Sequence, residues 1–279
     1  MIPAKCSYVR AESVEQAVAL LGEYGDDAKL LAGGHSLLPL MKLRLATPSV
    51  LIDVSRVAEL SYVRDDGDVV AIGGLTRHHD VANSAVLQQH VPILAAAASE
   101  VGDPQVRHRG TLGGSLAHAD PASDLPAVVL VLGGSITVSG SSGVRTIPAE
   151  QFFVGFLETA LAPDEVITEV RVPKTNGAGW AFEKFNRRAQ DWAIVGVAAL
   201  GGASPGVALV NMGSTPLRAT AVESALVAGA SPEEAADLAA EGMDPPSDLN
   251  ASPEYRRHLA QVLVRRALST VAARNGRSR

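Results

Sequence analysis

Two glycine loops constrain this chain more than any other feature. Ala32-Gly33-Gly34-His35-Ser36-Leu37 and Leu112-Gly113-Gly114-Ser115-Leu116 echo one another, and both follow the chain out of ordered structure. Adjacent glycines admit positive φ and let backbone amides converge where a Cβ would intrude, which makes a nest for an anion. Ser36, Thr111 and Ser115 add hydroxyl donors at the same places. Two such loops would clamp a diphosphate from both sides better than either alone. Neither is a G-x-G-x-x-G after a strand with an acid about 20 residues on, and no G-x-x-x-x-G-K-[ST] occurs, so Rossmann and P-loop sites are excluded. A nucleophile elbow needs a second glycine where Gly34-His35-Ser36-Leu37-Leu38 has Leu38 and the other loop has Ala117, which excludes serine acyl chemistry.

Composition narrows the rest. With 279 residues the chain can bury a core without disulfides or a structural metal. Its single cysteine, Cys6, excludes a disulfide scaffold, a cysteine-ligated zinc and any iron–sulfur cluster held by this chain alone. Nothing near Cys6 supplies the cationic surroundings that activate a thiol. The polar N-terminus and the lack of an apolar run of about 18 residues predict neither a signal peptide nor a membrane span, so a cytoplasmic location is expected. The net charge of −6 argues against a nucleic-acid binder. Arginines 256, 257, 265, 266, 274, 277 and 279 cluster on an expected C-terminal helix, where a solvated or partner-docking face is the ordinary reading.

Ser13-Val14-Glu15-Gln16 reads as a capping box opening a helix over 14–21, ended by Gly22 or Gly25. Residues 29–32, the first glycine loop and 37–46 read as strand, loop, helix; 51–54 is a further strand. Residues 62–63 with 69–72 form a hairpin around Asp65-Asp66-Gly67-Asp68. A long helical stretch spans 78–101, with Pro92 starting a second helix, and 102–124 shows no credible period. Residues 134–138 and 144–147 give another hairpin, and 165–173 an alternating strand. Lys174 to Gly179 is the linker. Beyond it, 181–185, 194–199 and 207–211 read as a three-strand meander, followed by helices at 218–228, 232–241 and 253–273. Strands followed by helices indicate an α+β fold.

The segments LLAGGHSLLPLMKLRLATPSVLIDVS, GDPQVRHRGTLGGSLAHADPASDLPAV and AFEKFNRRAQDWAIVGVAA, in this order, resemble the FAD-binding medium subunit of the molybdenum hydroxylases. The likeness is to the xanthine dehydrogenase and aerobic carbon monoxide dehydrogenase family, especially the latter type, over nearly the whole chain. It implies a two-part α+β FAD-binding domain of the vanillyl-alcohol oxidase type over 1–175, with subdomains of about 1–57 and 58–175. A C-terminal domain over 178–279, with a three-stranded antiparallel sheet and helices, would follow.

Carried over position by position, the resemblance makes Ala32, Gly33, Gly34, His35, Ser36 and Leu37 the first pyrophosphate loop. Gly110, Thr111, Gly114 and Ser115 cradle the other side, Ala117 and His118 lie along the cofactor, and Asp124 accepts from its ribityl or adenosine part. Ile167 lies on the adenine side and Lys184 near the N1–C2 region of the flavin ring. Trp192 stands where an aromatic can cover the ring, or packs domains together. Arg107 and Arg109 either screen the diphosphate or lie on the surface. His78-His79-Asp80 has no third ligand at i+4, so no metal is expected, and Phe152-Phe153 is core.

The resemblance implies an oxidoreductase subunit with an iron–sulfur small subunit and a molybdopterin large subunit as partners, in a dimer of three-subunit units. Electrons would pass to a quinone, NAD or oxygen, with no catalytic residue required in this chain. The rival readings are a stand-alone FAD-dependent oxidase, for which the chain is short, and a flavin-free assembly protein, against which the intact glycines argue.

Overall fold

The computed structural model describes residues 2–275; Arg277 and Arg279 of the arginine cluster lie outside them. The chain opens with β1 (Ser7–Arg10), α1 (Val14–Tyr24), β2 (Ala28–Leu31), α2 (Leu37–Leu43) and β3 (Val50–Asp53). β1 and β2 each pair in parallel with β3, so these strands form a small sheet in the order β1-β3-β2. α1 buries Val14, Ala17 and Leu21, spaced to share one face. It runs through Gly22 and ends at Gly25, whose φ of 55° suits a residue without a Cβ. Ser13 Oγ accepts from the Gln16 amide, but the Gln16 side chain reaches the amide of Glu12, one residue before the cap.

A five-stranded antiparallel sheet follows. Its first hairpin is β4 (Val63–Asp66) and β5 (Val69–Gly73), turning at Gly67 with φ 68°. The expected long helix is broken into α3 (His78–Asn83), α4 (Ala85–His90) and α5 (Pro92–Ser99), the last starting at its proline as expected. The stretch 102–124 is more ordered than its pattern suggests, because it holds α6 (Pro104–Arg107) and α7 (Leu112–His118), both too short to declare a period. Next come α8 (Asp124–Val131), β6 (Ser135–Gly140), β7 (Gly143–Pro148), α9 (Ala149–Phe152), the small hairpin β8 (Phe153–Gly155) with β9 (Glu158–Thr159), and β10 (Val166–Pro173). The sheet order is β4-β5-β10-β6-β7.

The remainder comprises β11 (Trp180–Phe185), β12 (Val195–Leu200), β13 (Gly206–Val210), β14 (Leu217–Arg218), α10 (Thr220–Val227), α11 (Pro232–Asp237) and α12 (Pro253–Asn275). The expected sheet of three strands has four. Arg218, read from sequence as the start of a helix, and Leu217 before it pair with Ala208 and Leu209 instead. A two-residue strand has no alternation to read, so its sheet partner alone reveals it.

α8 is buried all round, because Leu125 to Val131 presents no polar face; it packs against α5, β12 and β13. Phe152 is core, as expected. The arginine cluster is not uniformly solvated. Arg256 is fully buried, donating to the Ile194 carbonyl and pairing with Asp248 at 2.7 Å, while Arg265 pairs with Asp237 at the surface. The overall architecture is mixed α/β, with the parallel and five-stranded sheets within residues 7–173 and the four-stranded sheet with α10, α11 and α12 within 180–275.

Candidate cofactor site

The two glycine loops meet. A Cβ on Gly33 would lie within 2.8 Å of the Arg109 carbonyl carbon and the Gly110 Cα, and closer still to the Arg109 oxygen. Only a glycine lets the backbones approach so closely. Gly34 takes φ 74°. Gly110 in turn leaves room for His78, since a Cβ there would meet the imidazole Cδ2 at 2.7 Å. The His78 amide donates to the Gly110 carbonyl at 2.9 Å, and Arg77 bridges Thr111, which sews the start of α3 to the second loop.

The second segment, read from sequence as a loop, is the start of α7 with Thr111 as its N-cap, so the two glycine pairs do not offer the same chemistry. In the second, Gly110 donates to Val106 O, Leu112 to Thr76 O, Gly113 to Gly74 O, Gly114 to Thr111 Oγ1 and Ser115 to Thr111 O, at 2.7–3.1 Å. These five amides are thus spent on the protein; what the segment can present to a ligand are the hydroxyls of Thr111 and Ser115 and the Thr111 amide, which donates to no protein acceptor among the described residues. In the first loop, the amides of Gly33, Gly34, His35 and Ser36 donate to no protein acceptor among the described residues. The sequence expectation of two amide nests is therefore corrected: the first loop supplies four backbone N–H groups, and the second segment supplies hydroxyls with a single free amide, that of Thr111.

Between them lies a cavity of ≈ 690 Å³, within the usual range for small-molecule and cofactor sites of about 300–1,000 Å³. Ala32, Gly33, Gly34, His35, Ser36, Leu37, Gly110, Thr111, Gly114, Ser115, Ala117, His118, Asp124, Ile167, Lys184 and Trp192 all line it. Ile167 sits beside the bulge where β10 shifts register against β6, and its carbonyl packs against Gly74. His118 stands 4.0 Å from Asp120. Trp192 is half exposed, and with Asp191 it also walls a second, open cavity of ≈ 950 Å³ bordered by the C-terminal strands.

The cavity wall also holds an ion pair. Lys184 Nζ on β11 is 2.7 Å from Asp124 Oδ2 at the start of α8, with both side chains 5% exposed, and it also donates to the Glu100 carbonyl at 3.0 Å. Burial pushes the Asp124 carboxyl up to about 6 in spite of the lysine. Its Oδ1 is buried without a hydrogen-bond partner among the described residues.

His78 lines the cavity as well, a role sequence reasoning missed. Burial holds its imidazole down to about 4, helped by His35 and Arg107, so it is neutral at pH 7. No local pattern marks it, because its contact with Gly110 is made across the fold. Arg107 and Arg109 are not among the lining residues; Arg107 donates to the Val101 and Gly102 carbonyls and so braces its own loop. No group of three histidine, cysteine, aspartate or glutamate side chains among the described residues could hold a metal ion.

Four unpaired amides on one segment and two hydroxyls on the other fit a diphosphate, and a buried cation in the same wall fits a ring that gains negative charge. The residues present therefore suit FAD.

Comparison with known proteins agrees with this chemistry. Residues 4–175 match the family described as the FAD binding domain in molybdopterin dehydrogenase, and residues 180–271 the CO dehydrogenase flavoprotein C-terminal domain. The chain is 43% identical over 285 residues to the carbon monoxide dehydrogenase medium chain of Hydrogenophaga pseudoflava, covering 98% of this chain and 99% of the relative. It is 40% identical over 281 residues to the 6-hydroxypseudooxynicotine dehydrogenase complex subunit alpha of Paenarthrobacter nicotinovorans, covering 96% and 95%. Among solved structures, carbon monoxide dehydrogenase from Hydrogenophaga pseudoflava lacking the Mo-pyranopterin moiety matches with a TM-score of 0.95 at 44% identity, over 98% of this chain and 99% of that one. Quinoline 2-oxidoreductase from Pseudomonas putida 86 matches with a TM-score of 0.92 at 32% identity, over 98% and 99%. The chain belongs to the family of FAD-binding subunits of molybdopterin dehydrogenases.

Proposed function

We propose that this chain carries FAD as the electron-transfer subunit of a molybdenum hydroxylase of the carbon monoxide dehydrogenase type. It would work with an iron–sulfur small subunit and a molybdopterin large subunit in a dimer of three-subunit units. The single cysteine supports this, because the donor cluster must be held by another chain. The external acceptor is a quinone, NAD or oxygen, and the complex works in the cytoplasm. The relatives bear the names of dehydrogenases for substrates as unlike as carbon monoxide and 6-hydroxypseudooxynicotine. That spread favours a subunit that does not choose the substrate.

The carrying observation is the cavity with free amides on one loop and hydroxyls on the other. Gly33, Gly34, His35 and Ser36 bind the diphosphate through their amides, while Thr111 and Ser115 close over it from the opposite loop. The residues from Ala32 to Leu37 and from Gly110 to His118 keep the cofactor extended between them. Ile167 packs the adenine side and Trp192 covers the ring. FAD supplies a centre that accepts electrons singly and releases them in pairs. Asp124 accepts from the ribityl or adenosine part, and Lys184, paired with it at 2.7 Å, lies near the N1–C2 region of the ring. The division into a two-part FAD-binding domain over 1–175, of the vanillyl-alcohol oxidase type, and a C-terminal domain over 178–279 belongs to the same reading. It is supported by a parallel sheet ending at Asp53 and an antiparallel one starting at Val63.

The test is the visible spectrum and acid-released cofactor of the purified chain, alone, after incubation with FAD, and after co-expression with iron–sulfur and molybdopterin partners. About one FAD per chain is expected. No flavin in any of the three preparations would refute the reading.

A further inference from the structure

The Asp124–Lys184 pair is almost wholly buried although it stands in the wall of a cavity. Both side chains are 5% exposed and both line the cavity. Lys184 spends its donors on Asp124 Oδ2 and the Glu100 carbonyl, whereas Asp124 Oδ1 is buried without a partner among the described residues. An unsatisfied carboxylate oxygen in such a place is costly, and it is a natural seat for a proton.

Few other charges act there. Glu100, at the end of α5, faces the pair and opposes further negative charge. His118 on α7 lines the same cavity but is turned toward Asp120. On the sheet side, Arg218 of β14 is paired with Glu223, and the residues of β12 and β13 are apolar. The pair is neutral as a whole, so any negative charge placed beside Lys184 leaves one carboxylate uncompensated in a low-dielectric wall.

We propose that Asp124 is the proton-accepting positioning residue of this site: when the bound flavin is reduced, Lys184 turns its charge from Asp124 to the ring, and Asp124 takes up one proton. The inference rests on the reading of Lys184 as the residue beside the ring. The balance is complete. For every two electrons delivered by an iron–sulfur donor, one proton would be taken by the cofactor, which would keep one negative charge beside Lys184, and the second proton would be taken by Asp124. Two electrons and two protons enter, and the net charge of the buried site does not change. Asp124 thereby lets the ring stay anionic without leaving a second buried anion beside it. The raised proton affinity of this carboxyl, at about 6 before any ring charge is added, is in keeping with that role.

A spectroelectrochemical titration of the flavin-loaded complex from about pH 5 to about pH 9, following the flavin's visible band, tests it. Each proton taken up in a two-electron couple lowers the midpoint by about 30 mV per tenfold fall in proton concentration. Wild type should therefore fall by about 60 mV per pH unit above about pH 6, and Asp124→Asn by about 30. Asp124→Glu should restore the steeper slope, which a merely structural role would not. Equal slopes in wild type and Asp124→Asn overturn the proposal while leaving the flavin reading intact. Should Asp124→Asn fail to hold flavin, wild type decides alone. Electrochemical reduction of the flavin-loaded chain in the presence of an indicator dye should consume two protons per flavin at about pH 7.5, and one proton overturns the proposal. If neither chain nor complex holds flavin, the functional reading falls and this inference falls with it.

Discussion

Substituting Gly33 by alanine adds one methyl group at the point where the two loops touch. An alanine Cβ would sit 2.8 Å from the Arg109 carbonyl carbon and the Gly110 Cα, whereas ordinary contact begins at 3.4 Å. The loops must part by at least the difference, about 0.6 Å, and both neighbours are backbone, so no side chain can swing aside. A hydrogen bond set at about 2.9 Å would then stretch to about 3.5 Å, beyond useful range. The diphosphate would keep the first loop's amides and lose a hydroxyl of the second. A hydrogen bond to a charged group is worth about 1.5–3 kcal/mol, which converts to roughly a 10- to 100-fold rise in the FAD dissociation constant. The assay is a fluorescence or calorimetric titration of the apo-chain with FAD. Gly22→Ala is the control: it lies inside α1 with nothing within 4 Å, and it should leave affinity unchanged while adding about 0.5–1 kcal/mol of stability. A Gly33→Ala chain that binds FAD within about twofold of wild type would refute the argument that close approach of the loops builds the site.

Other substitutions probe the rest of the wall. Thr111→Val removes both the cap on the Gly114 amide and a ligand hydroxyl, so it should cost about 1 kcal/mol in unfolding and also weaken FAD binding; Thr111→Ser should recover both, as thermal melts and titrations will tell. Lys184→Met strands a buried carboxylate and should cost about 3–5 kcal/mol in chemical denaturation near pH 7, most of it regained in the double variant with Asp124→Leu. Since folding holds His78 down to about 4 from 6.5, the unfolded chain takes its proton first, and stability is lost as pH falls through that window. Asp124 acts in the opposite sense, because folding raises its carboxyl to about 6 and protonation there stabilises the fold. Comparing His78→Gln with wild type isolates the histidine: the variant should lose less stability on going from about pH 6.5 to about pH 4, and parallel curves would contradict the placement of a neutral His78.

Much of this protein was legible locally. The glycine pairs, the Asp-Gly hairpin turn at Gly67, the helix start at Pro92 and the meander after the linker each depend on φ preferences or alternation within a few residues, and such signals survive without a fold. The two glycine segments with their hydroxyls were read for the same reason, whereas Asp124, Ile167, Lys184 and Trp192 were carried over from the family resemblance; all of these line one cavity. Where the local signal was shorter than a period, it failed: α6 and α7 were hidden in an irregular stretch, and β14 was missed, its Arg218 being read as the start of a helix.

Tertiary structure decided the rest. Two loops of the same composition acquired different chemistry because Gly74 and Thr76 place their carbonyls over the second and nothing places carbonyls over the first. Arg256 became a buried anchor instead of a solvated charge because β12 begins beside it. Lys184 met Asp124, and His78 met Gly110, across separations that no periodicity spans. The physical reason is common to all of these. A residue's conformational freedom is its own property and can be read from its type, but the partner of a donor, the burial of a charge and therefore its proton affinity belong to whichever distant segment folding brings alongside.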